Sequence, residues 1–215
     1  IEDAKPQFFG GNTDGTPKRT RVRSRAMSTA LKKIFAENQR IFIIEHRYPD
    51  MDALESAFGV AYMAMMRDKE CYIILNAKEI TADIERALEE LKKYPDLQRL
   101  VISDEEAIDL SNDESVLVMV DYHKPSMSIS QAVYDTFEKI AVIDHHRRGD
   151  EFPEKHLLTY IESSASSAAE LVAELIQYRA ARKSLLPKFI STALLAGIYV
   201  DTKNFTVRTT GRTFD

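Results

Sequence analysis

Cysteine is almost missing from this 215-residue chain. Cys71 stands alone in the apolar run CYIIL, which excludes an internal disulfide and any cysteine-based zinc site and leaves a buried, reduced thiol in a cytosolic protein. Glycine and proline are sparse, at 7 each, while 44% of the residues are hydrophobic, so the chain can bury a substantial core, most simply as one domain with appendages. The longest apolar stretches, residues 57–66 and 191–200, fall well short of the roughly 20 residues a spanning helix needs. Neither a signal peptide nor a transit sequence is visible. A formal net charge of -5 argues against wholesale attraction to nucleic acid or membrane. Phe8, Phe9 and Tyr48 are too few for a base-stacking platform. The expectation is a soluble, cytoplasmic piece with no membrane contact and no long nucleic acid as partner. It opens on Ile and stops in a polar segment, which reads as part of a longer protein.

Residues 1–24 carry Gly, Pro, Asn and Asp without apolar periodicity and read as a linker or the edge of a preceding domain. At its end come Lys18, Arg19, Arg21, Arg23 and Arg25; an extended backbone would put three of the arginines on one face, although a solvated basic connector is the simpler account. Helices are predicted at 24–38, 51–68, 81–94, 129–137, 166–182 and 187–200, and strands at 40–44, 71–75, 99–103, 115–120 and 139–143. Strands that are apolar throughout and alternate with helices predict an α/β fold, a mostly parallel sheet with helices on both faces. Ser167 and Glu170 have the spacing of a capping box. Met63, Met65 and Met66 suit core packing or an interface, and His156, outside every motif, suits the surface.

Polar residues of chemical interest fall where these strands stop. IFII runs into Glu45-His46, VLVMV into Asp121, and IAVI into Asp144-His145-His146, so two of only five histidines stand side by side. Ligands of an open parallel sheet bind outside the carboxyl ends of its strands, so three strands would deliver these side chains to one crevice. The first loop also holds Asp50 and Asp52; two apart across a loop-to-helix junction, they can serve two different cations, with Asp52 alternatively the N-cap of the next helix. His123 follows Asp121 by two residues. Asp201 ends the last helix, where an acid opposes the helix dipole, so either a turn role or a metal ion accounts for it. Carboxylates and imidazoles without thiolates suit Mn²⁺, Fe²⁺ or Zn²⁺ better than Ca²⁺, and the set is too large for one ion. Two cations about 3.5 to 4 Å apart would suit hydrolysis of a phosphodiester or phosphoanhydride.

Four segments, HRYPDMDAL, VDYH, VIDHHRRG and GIYVDTKNF, resemble in order and spacing the motifs of the DHH phosphoesterase superfamily, which includes RecJ-type exonucleases, nanoRNA phosphatases and family II pyrophosphatases. The likeness spans roughly residues 15–215, and the KRTRVR, PDMDAL, ASS and DTKNFTVRT segments resemble its membrane-anchored cyclic-di-AMP phosphodiesterase branch. The resemblance implies a DHH phosphoesterase domain with two Mn²⁺ ions, or other divalent transition metals. One ion would be held by His46, Asp50 and Asp121, the other by Asp52, Asp121, His145 and Asp201, with Asp121 bridging. It implies catalytic roles for His146, facing the reacting phosphate, and for Asp144, orienting the imidazoles beside it. Tyr48 would touch a base, and Arg147 and Arg148 would either approach phosphate or stay solvated. The activity implied is metal-dependent hydrolysis of cyclic di-AMP to 5'-pApA. A short-oligonucleotide (nanoRNA) exonuclease or phosphatase would share every metal ligand. Outside catalysis, the alternative is a metal-binding fragment that is inactive without a second domain.

The same resemblance assigns residues 25–215 to the DHH catalytic domain and 1–24 to a linker or the tail of a degenerate GGDEF domain. The smaller DHHA1 domain, marked by a GGGH segment that this chain does not contain, would act in cis. The full-length parent would be a homodimer anchored in the cell membrane, with this domain facing the cytoplasm. Tyr122 stands where the family usually has Thr, and Glu45 and Glu55 where it has small residues, commonly Gly.

Overall fold

The structure, a computed structural model, describes residues 19–75, 80–178 and 187–215. β1 (Arg40–Ile44) lies at its centre, flanked by β2 (Glu70–Ile74) and β4 (Ser115–Val120). β3 (Val101–Ile102) adds to β2, while β5 (Ile140–Asp144) and β6 (His156–Ile161) extend the sheet beyond β4. The order is β3-β2-β1-β4-β5-β6, with every pair parallel. The chain therefore works outward from β1 to β3 and then returns to the middle to start β4. That reversal creates a topological switch point between the carboxyl ends of β1 and β4, where a crevice opens.

The central strands are covered on both faces, which is why they read as unbroken apolar runs. Ile41, Ile43, Val116, Val118, Ala141 and Ile143 face one layer, and Phe42, Ile44, Leu117, Met119 and Val142 the other. The first layer is closed by α1 (Arg21–Glu37), α2 (Met51–Met65), α3 (Ala82–Leu91), α7 (Ala168–Gln177) and α8 (Lys188–Asp201). The second is closed by α5 (Asp104–Leu110) and α6 (Gln131–Thr136), and the short α4 (Pro95–Gln98) leads into β3. Burying each Ile, Val or Leu contributes about 1.5–3 kcal/mol, so the two layers supply the bulk of the stabilisation. Met63 is core and Met65 packs against it, as expected, whereas Met66 is exposed.

The parallel α/β architecture and the predicted order of elements are present, with several local differences. α1 starts at Arg21 rather than Ser24, because the Thr20 hydroxyl accepts the Arg23 N–H at 3.1 Å and caps it. Arg21, Arg23 and Arg25 are consequently helical and share no extended face, and Arg19 is a buried ion-pair partner rather than part of a solvated connector. Residues 1–18, including Phe8, Phe9 and Lys18, lie outside the described residues, as do 179–182 of the helix predicted for 166–182. The strand predicted for 99–103 shrinks to Val101–Ile102, and a Ser103–Glu106 capping box starts the unpredicted α5. β6 was not predicted either, since it is a half-covered edge strand following Pro153, Glu154 and Lys155. His156 opens it, half-buried rather than fully exposed, with its Nδ1 donating to the Pro153 carbonyl at 2.7 Å and its ring edge-on to Phe152. At α7 the Ser167 hydroxyl accepts the Glu170 N–H at 3.0 Å, but the Glu170 carboxylate returns to Ser166 rather than to Ser167, leaving only half of the expected capping box.

Glycine permits a close helix contact in this layer. A Cβ on Gly59 of α2 would lie 2.5 Å from Val172 Cγ1 and 2.9 Å from Leu194 Cδ2. Both partners are buried, and the valine is stiff at χ1. Gly59→Ala is therefore predicted to destabilise the fold by about 1–2 kcal/mol, overpacking outweighing the gain in helix propensity. The urea midpoint should fall with an unchanged slope; an unchanged or raised midpoint would show that α7 and α8 can yield.

Candidate metal centre

The residues that follow β1, β4 and β5 meet the last residue of α8 at the switch point. His46 Nε2 lies 3.4 Å from Asp121 Oδ2 and 3.9 Å from Asp50 Oδ2. His145 Nε2 lies 3.2 Å from Asp121 Oδ1, 3.3 Å from Asp201 Oδ2 and 3.7 Å from Asp52 Oδ2. Two triads result, His46–Asp50–Asp121 and Asp52–His145–Asp201, each with donor atoms within 4.8 Å of one another. Asp121 offers one oxygen to each side. A third grouping at the same spacing joins Asp121, His145 and His146. The structure thus brings together all six residues expected to hold metal.

Local backbone chemistry explains how they are presented. Asp121 adopts a left-handed conformation with φ 66°, rare for a residue with a Cβ and costing about 1–2 kcal/mol. Its N–H donates to the Ile143 carbonyl at 2.9 Å, which fixes the turn off β4. The His46 loop is pinned on both sides: Arg47 N–H donates to the Met127 carbonyl at 2.7 Å, and Ile129 N–H to the Glu45 carbonyl at 3.0 Å. Helix capping falls to Asp50, not to Asp52, because Asp50 Oδ1 accepts the Ala53 N–H at 3.0 Å. Asp52 is fully buried and instead accepts the Ala168 and Ala169 N–H groups, at 2.7 and 2.8 Å, from the start of α7. A Cβ on Gly197 would sit 2.9 Å from Ala169 Cβ and 3.1 Å from Asp52 Oδ1, so this glycine lets α8 close in and bring Asp201 to the site.

The electrostatics call for a cation. Among the described residues no lysine or arginine forms an ion pair with Asp50, Asp52, Asp121 or Asp201. Burial and the charge of Asp121 hold Asp52 well above the usual carboxylate range. Burial also raises Asp201, against the pull of His145. Burial would raise Asp121 as well, yet the flanking His145 and His46 bring it below its ordinary value. Burial disfavours the charged form of His145, but Asp121 and Asp52 raise it overall. Asp121 Oδ1 is buried without a hydrogen-bond partner among the described residues, although His145 Nε2 is near. An orphaned oxygen amid converging carboxylates and imidazoles, with no thiolate, fits divalent transition-metal ions.

Asp144 supports two imidazoles rather than the expected pair. Its Oδ1 accepts both the His146 N–H at 3.0 Å and His146 Nδ1 at 2.8 Å, while Oδ2 accepts from His123 Nδ1 at 2.5 Å. Gly149 N–H donates to His123 Nε2 at 3.0 Å, which places the His123 proton on Nδ1. Burial opposes ionisation of Asp144, but these hydrogen bonds hold it well below the usual range. His146 is raised to about 9, chiefly by the Asp144 bond, and its side chain is 55% exposed toward a cavity of about 370 Å³. Arg147, Tyr122, Met127 and His123 also line that cavity. Arg148 does not; its guanidinium lies 4.5 Å over the Phe152 ring. Tyr48, 65% exposed beside Arg47, does not line it either. His123 received no role from the sequence, although its position two residues after Asp121 was the available signal.

Fold and site define a class: an open parallel α/β sheet with a carboxylate–imidazole centre at its switch point. Within that class the sequence pattern described as the DHH family, N-terminal domain, matches residues 40–198, and the chain belongs to the DHH family. It is 45% identical over 215 residues to the cyclic-di-AMP phosphodiesterase GdpP of Bacillus subtilis (strain 168), covering 100% of this chain and 32% of that protein. It is 42% identical over 213 residues to the cyclic-di-AMP phosphodiesterase PdeA of Listeria monocytogenes serotype 1/2a (strain 10403S), covering 99% of this chain and 32% of that one. The chain thus spans about a third of the length of these curated relatives. A crystal structure of an exopolyphosphatase-related protein from Bacteroides fragilis superposes with a TM-score of 0.70 at 24% identity, over 88% of this chain and 54% of that one, a likeness of fold.

Glu45, Glu55 and Tyr122, which the sequence reading sets apart from the family pattern, are all buried. Tyr122 donates to the Ser128 hydroxyl at 3.3 Å. Both Glu45 carboxyl oxygens and Glu55 Oε2 have no hydrogen-bond partner among the described residues. Burial pushes Glu45 far up and Glu55 to about 7. Glu55 titrates at 4.5 when unperturbed, so the folded state favours its protonated form; the stability this confers is complete below about pH 4.5 and is lost as pH rises through about 7. Glu55→Gln is predicted to leave stability near pH 4 unchanged and to raise it by about 3 kcal/mol near pH 8, as read by urea denaturation. An equal effect at both pH values would contradict a titrating Glu55.

Proposed function

We propose that this domain is a two-metal phosphodiesterase that hydrolyses cyclic di-AMP to 5'-pApA. The observation that carries the reading is the position of Asp121, whose two carboxyl oxygens face His46 on one side and His145 on the other. One ion would be held by His46, Asp50 and Asp121, the second by Asp52, Asp121, His145 and Asp201, with Mn²⁺ as the metal. The substrate assignment is supported by the identity to GdpP and PdeA along nearly all of this chain.

Bound cations would polarise the phosphoryl group and lower the pKa of the attacking water. The chain's own residues do the remaining work. His46 and His145 would have to be neutral to act as ligands, so His145 would give up the proton that Asp121 favours on it before holding an ion. His146 lines the cavity, while Asp144 holds its Nδ1. As an imidazolium it donates to a phosphate oxygen and can pass a proton to the leaving oxygen. Asp144 is buried and touches no substrate; it positions His146 and His123. Arg147 supplies a second positive charge at the cavity wall. Arg148 and Tyr48 contribute only if the substrate extends past that cavity. In this reading residues 25–215 are catalytic, a DHHA1 domain acts in cis, and the full-length parent is a membrane-anchored homodimer with this domain in the cytoplasm. Among the described residues no helix is long and apolar enough to cross a membrane.

With Mn²⁺ the domain is expected to convert cyclic di-AMP to pApA, and Asp121→Ala to abolish turnover. His145→Ala should lose metal occupancy, whereas His146→Ala should keep it and slow turnover about 100-fold. Faster hydrolysis of pApA or longer oligonucleotides than of cyclic di-AMP would favour the exonuclease reading. Full metal loading without any hydrolysis would favour a fragment that needs its second domain.

A further inference from the structure

Two arginines that do not line the cavity converge on α7. The Arg19 side chain is 5% exposed; its Nε and Nη2 donate to Glu174 Oε2 at 2.8 and 2.5 Å, and its Nη1 pairs with Glu170. From the other end of the chain, Arg212 Nη1 donates to Glu174 Oε1 at 2.5 Å and the Thr213 hydroxyl to Glu170 Oε2 at 2.8 Å. Glu170 also accepts the Ser166 N–H at 3.3 Å. The lead-in to α1 and the final turn are thereby clasped onto the first two turns of α7. Immediately before Glu170 stand Ala168 and Ala169, whose N–H groups hold Asp52.

We propose that Arg19 and Arg212 are positioning residues for the metal centre: by clamping Glu170 and Glu174 they fix the start of α7, whose Ala168 and Ala169 amides hold Asp52 against His145 and Asp201. The last link rests on the two-metal reading; the clamp itself does not. Asp52 is buried among other carboxylates, and a buried carboxylate depends on its donors. The two amides that serve it belong to a rigid helix, so a tilt of α7 withdraws both together. Without the arginines, Glu170 and Glu174 stand as like charges at i,i+4 spacing, which pushes the first turns apart. Arg19 suits the clamp because its planar fork reaches two carboxylates at once, which a lysine ammonium does not do with the same geometry. Displacement of the backbone at Arg19 is in this way transmitted to a metal ligand.

The test compares Arg19→Gln and Arg212→Gln with Arg21→Gln, whose side chain is exposed and, among the described residues, pairs only with Asp215. Hydrogen exchange of the Ala168 and Ala169 amides is measured in the metal-free protein, and Mn²⁺ affinity by calorimetric titration. In both clamp variants exchange of the two amides should accelerate, and one of two Mn²⁺ ions should bind about tenfold more weakly, the size seen when outer partners of metal ligands are removed. Arg21→Gln should change neither. If Arg19→Gln does not fold, Arg19→Lys keeps the charge without the fork and should shift both readouts in the same direction. A lowered melting temperature with wild-type amide exchange and wild-type Mn²⁺ affinity would overturn the proposal and leave the arginines a purely structural role. Wild-type protein that binds fewer than two Mn²⁺ ions would sink the two-metal reading, while amide exchange still decides the clamp.

Discussion

Negative charge gathered into one place, around the buried Asp52 and Asp121, is the constraint on which this structure turns. Asp50, Asp52, Asp121 and Asp201 converge on two imidazoles, and no lysine or arginine among the described residues pairs with them. Left alone, such a cluster would protonate or open. It is held by a strained backbone at Asp121, by a pair of helix amides on Asp52 and by a glycine contact that admits α8. Each device sacrifices some stability or conformational freedom locally, and the two apolar layers of the sheet supply the reserve. The donor set of a site built this way fits bound cations.

The geometry also separates two adjacent histidines into different tasks. β5 ends at Asp144, so His145 turns inward among three carboxylates, while His146 turns toward the cavity with Asp144 behind it. His123, on the neighbouring strand's loop, shares Asp144 and is locked by Gly149 N–H. One buried carboxylate thereby orders two imidazoles that line the cavity, and another, Asp121, lies between His46 and His145.

Much of this was legible in the sequence, for a physical reason. Buried parallel strands must be apolar throughout, and ligands gather at their carboxyl ends, so His46, Asp121 and His145 announce themselves as polar residues ending apolar runs. Whatever depends on tertiary contact was hidden. Local spacing offered Asp52 as the cap of its own helix, but the bond it makes is to α7, more than a hundred residues away. Arg19 looked solvated because its partners, Glu170 and Glu174, lie at a separation no local pattern encodes. β6 escaped notice because an edge strand need be apolar only where a neighbour covers it, and only its middle is fully buried. Asp144's grip on His123 instead of His145 likewise follows from the pairing of β4 with β5.

The central claim is that Asp121 bridges two cations. Anomalous X-ray scattering from crystals grown with Mn²⁺ tests it most directly. The account predicts two anomalous peaks about 3.5 to 4 Å apart, one beside His46 and Asp50, the other beside Asp52, His145 and Asp201, with Asp121 contacting both. A single peak, or two peaks that do not share Asp121, would contradict it.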